Sequence, residues 1–402
     1  MNNKTSILLS LVGCALCTTF SSSALANHRS GDDPLPEIMT GGDFNRDGNI
    51  DLAVNMSGYD NFAVLDGDGQ GNFTMKRHIE EDTLPKSVKS GDVNGDGNLD
   101  VVAVTQWGYN IKIFHGNGKG SFQLSNVLRG DGEPNRILLV DLNKDGKLDI
   151  VANGPDEGKL IIYLSFGNGN FSNTPIELEK YGNLVAMEAG DFNKDGNVDI
   201  AIAYFESGNI GDSHVQILLG NGFGSFAIGQ NFVINPQCNN IRSVDLNKDG
   251  KLDLILAGAG AENDAGVFIS TYLGDGSGNF TVKQIVDLGS GSIKGEISVA
   301  DFNEDGNVDI AYPLSSDGGE RHHFSTALLI YLGDGTGNFT QGQTVTVQEE
   351  PGSAFAADFN KDGHIDLACT NRTAGTLSVL LGNGNGTFTT HATIPLNAMG
   401  TP

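Results

Sequence analysis

Three carboxylates and two side-chain amides alternate around a glycine in Asp43-Phe44-Asn45-Arg46-Asp47-Gly48-Asn49-Ile50-Asp51. The pattern Asp-x-Asn-x-Asp-Gly-x-apolar-Asp starts again at Asp92, Asp141, Asp191, Asp245, Asp301 and Asp358. Oxygens at alternate positions, with glycine making the sharp bend, can wrap a hard cation that prefers about six to eight oxygen ligands. Calcium is the expected ion, in up to seven loops. In the alternative reading the Asp and Asn side chains only make Asx-turns, which would leave clustered carboxylates repelling one another. An EF-hand is excluded. Its twelfth loop position needs Glu, whereas these loops carry Val54, Ala103, Ala152, Ile202, Leu256, Tyr312 and Cys369 there.

The charge follows from the same loops. They hold 21 of the 50 acidic residues in a chain of formal charge −26, and seven divalent cations would bring that to about −12. Lys and Arg total 24 and form no basic run, which argues against nucleic acid or an anionic membrane as partner.

The loops must be carried by a repeated unit. Their starts are 49, 49, 50, 54, 56 and 57 residues apart, within the range of propeller blades. Short apolar runs enter and leave each loop, as at Ile137–Val140 and Leu148–Ala152, and their lack of alternation predicts strands buried on both faces. A second motif follows, as in Leu273-Gly274-Asp275-Gly276-Ser277-Gly278-Asn279-Phe280. Its other copies end at Phe73, Phe122, Phe171, Phe226, Phe339 and Phe388, the Phe171 copy being one residue short. The glycines permit the positive φ of a tight hairpin. A phosphate cradle is not expected, because a strand follows rather than a helix and no P-loop Lys is present.

Each unit therefore reads strand A, acidic loop, strand B, variable loop, strand C, Gly-rich hairpin, strand D. Seven such units predict an all-β, seven-bladed β-propeller of four-stranded antiparallel blades over residues 38–396. The first clear strand, Ile38–Gly42, is a strand A and the last, Thr389–Ile394, a strand D, so no exchanged strand is expected and closure falls to packing of blades one and seven. Residues 27–37 read as a linker and 397–402 as a tail.

Residues 1–26 read as a secretory signal peptide: Lys4, an apolar stretch from Ile7 to Phe20, and Ala24-Leu25-Ala26 before Asn27. Leu11-Val12-Gly13-Cys14 also fits a lipoprotein box, with Cys14 lipidated. Both readings export the chain, to the exterior, the cell surface or the periplasm. Cleavage after Ala26 would leave Cys238 and Cys369 in different repeats, which excludes a disulfide scaffold. No later stretch is apolar enough to span a bilayer.

The two motifs, in this order and in seven copies, resemble the FG-GAP and VCBS repeat family, whose best-known members are the integrin alpha-chain propellers. The resemblance covers about Ile38 to Ile394. It implies that the acidic loops join strands A and B on the lower face and bind calcium. The implied ligands are Asp43, Asp92, Asp141, Asp191, Asp245, Asp301 and Asp358 at position one, and Asn45, Asn94, Asn143, Asn193, Asn247, Asn303 and Asn360 at position three. Asp47, Asp96, Asp145, Asp195, Asp249, Asp305 and Asp362 follow at position five, then the carbonyls of Asn49, Asn98, Lys147, Asn197, Lys251, Asn307 and His364 at position seven. Asp51, Asp100, Asp149, Asp199, Asp253, Asp309 and Asp366 complete the sets at position nine.

Strand alternation puts loops and hairpins on one face and the B-to-C and D-to-A connections on the other. The second, upper face carries the variation, its B-to-C loops lengthening in repeats four to six, and such loops on a rigid scaffold commonly bind. Candidate ligand-binding residues there are Tyr59, Trp107, Tyr109, Tyr204, Glu206, Arg321, His322, His323 and Arg372, aromatics and hydrogen-bonding groups that suit sugars or protein side chains. The bland alternative is that these aromatics wedge blades apart. His322 and His323 are adjacent and on a strand would point to opposite faces, against a shared zinc. Arg129-Gly130-Asp131 spells a tripeptide that integrins recognise, but in so Gly- and Asp-rich a chain an ordinary turn is expected.

No nucleophile elbow or His-Glu-x-x-His helix occurs. The expectation is a secreted or surface-attached calcium-binding module for recognition or adhesion, without catalysis, whose partner is a glycan or an extracellular protein. The resemblance also admits a polysaccharide lyase, for which Arg321–His323 and Tyr204 would be the candidates, and a structural component of the cell envelope.

Overall fold

The computed structural model describes residues 35–56, 61–80, 85–105, 110–129, 134–153, 159–177, 183–205, 213–234, 238–259, 266–293, 295–315 and 325–396. Their strands form seven four-stranded antiparallel sheets, each pairing consecutive strands in the order A-B-C-D. The first blade is Pro36–Gly42, Asp51–Met56, Asn61–Gly67 and Phe73–Glu80. The seventh is Pro351–Ala357, Asp366–Asn371, Thr376–Gly382 and Phe388–Pro395. The expected seven-bladed propeller is thus the fold, with the first strand starting two residues earlier than the apolar pattern indicated.

The unbroken apolar runs are the second strands of the blades, and they are buried along their length, as in Asp51–Met56, Asp100–Thr105 and Asp149–Asn153. Both faces are covered because each blade packs against two neighbours. Seven apolar clusters result, one at each blade interface. Phe44 and Val64 of blade one meet Val101 and Phe114 of blade two, and Leu52 and Leu65 of blade one meet Phe359 and Val379 of blade seven. The fourth strands, by contrast, alternate exposed and half-buried, as Phe122–Arg129 does, because they are the outer edges.

The closing Phe of each hairpin pairs with the last residue of strand C, Gly67 with Phe73 in blade one. Six blades then skip one residue between strands C and D, as between Val64↔Arg77 and Leu65↔Met75, a bulge that bends the outer strand. Blade three has the shorter hairpin, and its pairing runs without a shift from Ser165↔Phe171 to Lys159↔Glu177.

The ring closes without an exchanged strand. The Gly71 amide of blade one donates to the Phe359 carbonyl of blade seven at 3.2 Å, the same contact that Gly120 makes to Phe44, Gly278 to Phe192 and Gly386 to Phe302. Thr370 Oγ1 donates to the Glu37 carbonyl at 2.9 Å and Arg372 Nε to Glu37 Oε1 at 2.9 Å, so blade seven also grips the first strand of blade one.

Candidate functional site: seven acidic loops and a central cavity

Each acidic loop is folded by its own side chains. In blade one Asp43 accepts from the amides of Asp47 and Gly48 at 3.0 and 2.9 Å. Asn45 Oδ1 accepts from Asp47 and Asp47 Oδ1 from Asn49, both at 2.8 Å. Gly48 has φ of 82°, as the bend requires. Position four is left-handed too, although it is glycine only in blade two: Arg46, Lys144, Lys194, Lys248, Glu304 and Lys361 have φ of 59–62°. That conformation costs a non-glycine residue about 1–2 kcal/mol. Here it sends the side chain toward the next blade, where Arg46 Nη2 donates to the Gly97 carbonyl and Glu304 meets His364 Nδ1.

Position nine does something the motif alone did not reveal. All seven of its aspartates are 0 % exposed. One carboxylate oxygen accepts from the position-two amide and the other from the last residue of strand C. Asp51 takes Phe44 and Gly67, each at 2.9 Å, and Asp309 takes Phe302 and Gly333 at 2.9 and 2.8 Å. The carboxylate therefore ties the acidic loop to the Gly-rich hairpin of its own blade. Burial pushes Asp51 and Asp309 up to about 6, against the pull of the two amides on each.

Position two links the blades. Phe44, Phe192, Phe302 and Phe359 each meet the closing Phe of the next blade's hairpin edge to face, at centroid distances of 5.2–5.5 Å. In the remaining blades the position is Val93, Leu142 or Leu246, also buried.

The donor set is oxygen only, of the kind a hard cation prefers. No group of three or more His, Cys, Asp or Glu side chains among the described residues is gathered to hold an ion on such groups alone. A cation here needs the Asn amide oxygens and the position-seven carbonyl as well. In blade one Asp43 Oδ1 and Oδ2 accept from one amide each and so retain a second lone pair, which makes the folded loop compatible with a bound ion, whereas Asp92 Oδ1 and Asp199 Oδ2 each accept from two amides. The loops are not equivalent. In blades three and five, position seven is lysine, and Lys147 Nζ and Lys251 Nζ lie 3.0 and 3.1 Å from the position-five carboxylates Asp145 and Asp249.

Of the upper-face candidates, Tyr59, Trp107, Tyr109, Glu206, Arg321, His322 and His323 lie outside the described residues, as do Gly130 and Asp131. Tyr204 is 3 % exposed, stacks on His214 at 5.2 Å and accepts from Asn231 Nδ2 at 2.7 Å, so it serves the blade interior. Arg372 is held by Glu37 and by Glu350, the latter at 3.2 Å. Both are structural placements, with the side chains engaged by their own protein.

The reading from sequence passed over a charged cluster on the inner strands. Three residues before each acidic loop stand Thr40, Lys89, Leu138, Glu188, Arg242, Ser298 and Phe355, one per blade. They line a central cavity of about 410 Å³. Lys89 Nζ of blade two donates to both carboxylate oxygens of Glu296 in blade six, each at 3.1 Å, across the cavity. Arg242 of blade five reaches the same carboxylate at 2.8 Å and Glu188 of blade four at 3.7 Å. Burial raises Glu296, but Lys89, Arg242 and Arg136 outweigh it and hold the group at about 2. A charged residue in a mainly apolar inner strand, as Glu188 in Asn183–Gly190, was the available signal.

Comparison with known proteins gives a consistent placement. The description "FG-GAP-like repeat" matches residues 43–103, 92–152, 141–202, 245–312 and 358–402, which together include all seven acidic loops. A bovine (Bos taurus) phosphatidylinositol-glycan-specific phospholipase D is 28 % identical over 144 residues, 31 % of this chain and 17 % of that enzyme's length. Among solved structures, an Agrocybe aegerita lectin that recognises non-reducing terminal N-acetylglucosamine superposes with a TM-score of 0.56 at 19 % identity, covering 84 % of this chain and 88 % of the lectin. A Lactobacillus plantarum protein gives 0.56 at 14 % identity over 78 % of this chain and 86 % of its own. At those identities the likeness is one of fold alone. With matched repeats over most of its length and seven blades built from one motif pair, the chain belongs to the FG-GAP-like repeat family.

Proposed function

We propose that this chain is an exported, calcium-stabilised recognition module that binds a glycan or an extracellular protein through its upper-face loops and performs no catalysis. The observation that carries this reading is the division of labour along the blade. The residues with recurring chemistry, at loop positions one to nine and in the hairpins, are bound to one another, as in the clamp from Asp51 to Phe44 and Gly67. Variation is left to the opposite connections, where scaffolds carry binding residues. The fold likeness to a lectin supports a glycan as the first class of partner to try. The leader-like residues before Asn27 support export, with release after Ala26 or lipid attachment at Cys14 as its two forms.

Calcium would be held by the Asp and Asn oxygens of positions one, three, five and nine and the carbonyl of position seven, where it neutralises carboxylates that otherwise repel. Extracellular modules work with sites of about 0.1–1 mM dissociation constant. Chelation is expected to lower the melting temperature, and a melt unchanged by chelator and by added calcium would leave the loops as hydrogen-bonded turns. A glycan and matrix-protein array, probed with and without calcium, tests the recognition role. Unsaturated, ultraviolet-absorbing products from uronate polymers would replace it with lyase activity, and silence in both assays would favour an envelope component.

A further inference from the structure

The seven acidic loops differ in the charges around them, and much of the difference comes from the preceding blade. The left-handed position four carries its side chain to the glycine at position six of the next loop. Arg46 Nη2 donates to the Gly97 carbonyl, and the ammonium groups of Lys144, Lys194, Lys248 and Lys361 stand beside Gly196, Gly250, Gly306 and Gly48. Five loops therefore receive one cation each from a neighbour. The other two do not. Position four of blade two is Gly95, and among the described residues nothing stands beside Gly146 in blade three. Blade six supplies an acid instead: Glu304 meets His364 Nδ1 at position seven of blade seven, where Gly363 is likewise bare. Position seven adds a second difference, since Lys147 Nζ lies 3.0 Å from Asp145 in blade three and Lys251 Nζ 3.1 Å from Asp249 in blade five. The loop of blade five thus carries two cations, Lys194 from blade four and its own Lys251. In blade seven the balance is reversed, because even a protonated His364 would only offset Glu304.

We propose that calcium fills the ring in a graded order set by these side chains, the loop of blade seven (Asp358–Asp366) binding tightest and that of blade five (Asp245–Asp253) weakest. The proposal rests on the calcium reading above. The affinity of an oxygen cage for calcium is tuned by the charge it presents, and an ammonium beside a divalent ion repels it where a carboxylate attracts it. Two ammonium groups in one loop against a carboxylate in the other separate the two dissociation constants by about tenfold or more. The order has a structural consequence. Phe359 of blade seven holds the closing seam, edge to face on Phe73 and through its carbonyl to the Gly71 amide. Falling calcium would therefore release the loop of blade five first, while the seam that closes the ring keeps its ion.

The test is amide hydrogen exchange of the full chain at graded free calcium, read by peptide mass spectrometry, which follows each loop separately in the wild type. The peptide over Asp358–Asp366 should gain protection at about tenfold less calcium, or lower still, than the peptide over Asp245–Asp253. Lys194→Ala combined with Lys251→Ala should bring the blade-five midpoint down, and Glu304→Gln should raise the blade-seven midpoint, each leaving the other loop where it was. Calorimetric titration of the same samples with calcium counts the ions taken up. Uptake in which both loops are protected at one midpoint, the reverse order, or midpoints that the variants leave unmoved overturns the graded order and leaves the calcium reading standing. No calcium uptake at all overturns both.

Discussion

The lower end of the ring and the central cavity bury charge in opposite ways. At the lower end seven aspartates at position nine are fully buried, and every one is met by two main-chain amides of its own blade. In the cavity, Glu296 has its charge met by side chains from other blades, Lys89 being 207 residues away. Main-chain donors are available in every blade, so that arrangement can be repeated seven times. A bridge across the centre has no such repeat and occurs once. Local hydrogen bonding gives uniform blades, and charge pairing between blades gives the ring its individual residues.

The largest effect is expected where that local arrangement is removed. Asp309→Ala leaves the Phe302 and Gly333 amides buried without an acceptor and should cost about 3–5 kcal/mol in urea unfolding with calcium absent. A loss below about 1 kcal/mol would show that these aspartates matter only as metal ligands. The inter-blade arrangement should be weaker because water reaches it: Glu296→Gln is expected to cost about 2–3 kcal/mol. It also has a pH signature. The Glu296 pKa is about 2 in the folded chain against an ordinary 4.5, so its contribution is complete above 4.5 and is lost as pH falls through that range toward 2. Unfolding midpoints of the wild type and Glu296→Gln should therefore converge on acidification from pH 6 to pH 3, and a constant gap would remove Glu296 from the account.

Two smaller changes sharpen the contrast. Phe192→Leu gives blade four the residue that blades three and five already carry at position two, and should cost less than about 1.5 kcal/mol despite losing the contact to Phe280. A loss near that of Phe192→Ala would mean the aromatic pair itself holds the interface. Least of all, Lys361→Ala removes an exposed cation that lies beside Gly48 of blade one, where ring closure is completed. It should change stability by under about 1 kcal/mol, because the Gly71–Phe359 bond and the shared core of blades seven and one remain. A large drop in melting temperature would make the position-four side chains part of the closure.

The acidic loop was legible because its hydrogen bonds span two to five residues, as from Asp47 to Asn45 and from Gly48 to Asp43. The hairpins were legible for the same reason, and the spacing of the two motifs gave the blade count. What escaped was each partner outside the local window: Gly67 for Asp51, Phe122 for Phe44, Glu296 for Lys89. Tyr204 shows the same limit from the other side, since an aromatic beside a variable loop has no sequence mark telling that it turns inward to His214 and Asn231.

By itself, then, the amino-acid order determined the repeat, the strand order within a blade, the oxygen-rich loops and the absence of an exchanged strand. These depend on residue type and short spacing, which the chain carries along its length. The tertiary structure alone decided that position nine is a clamp within the blade and position two a contact between blades, and that four charged side chains from separate blades share one cavity. Closing the ring brings the inner strands together from positions up to hundreds of residues apart, and no local pattern records which charges then face each other.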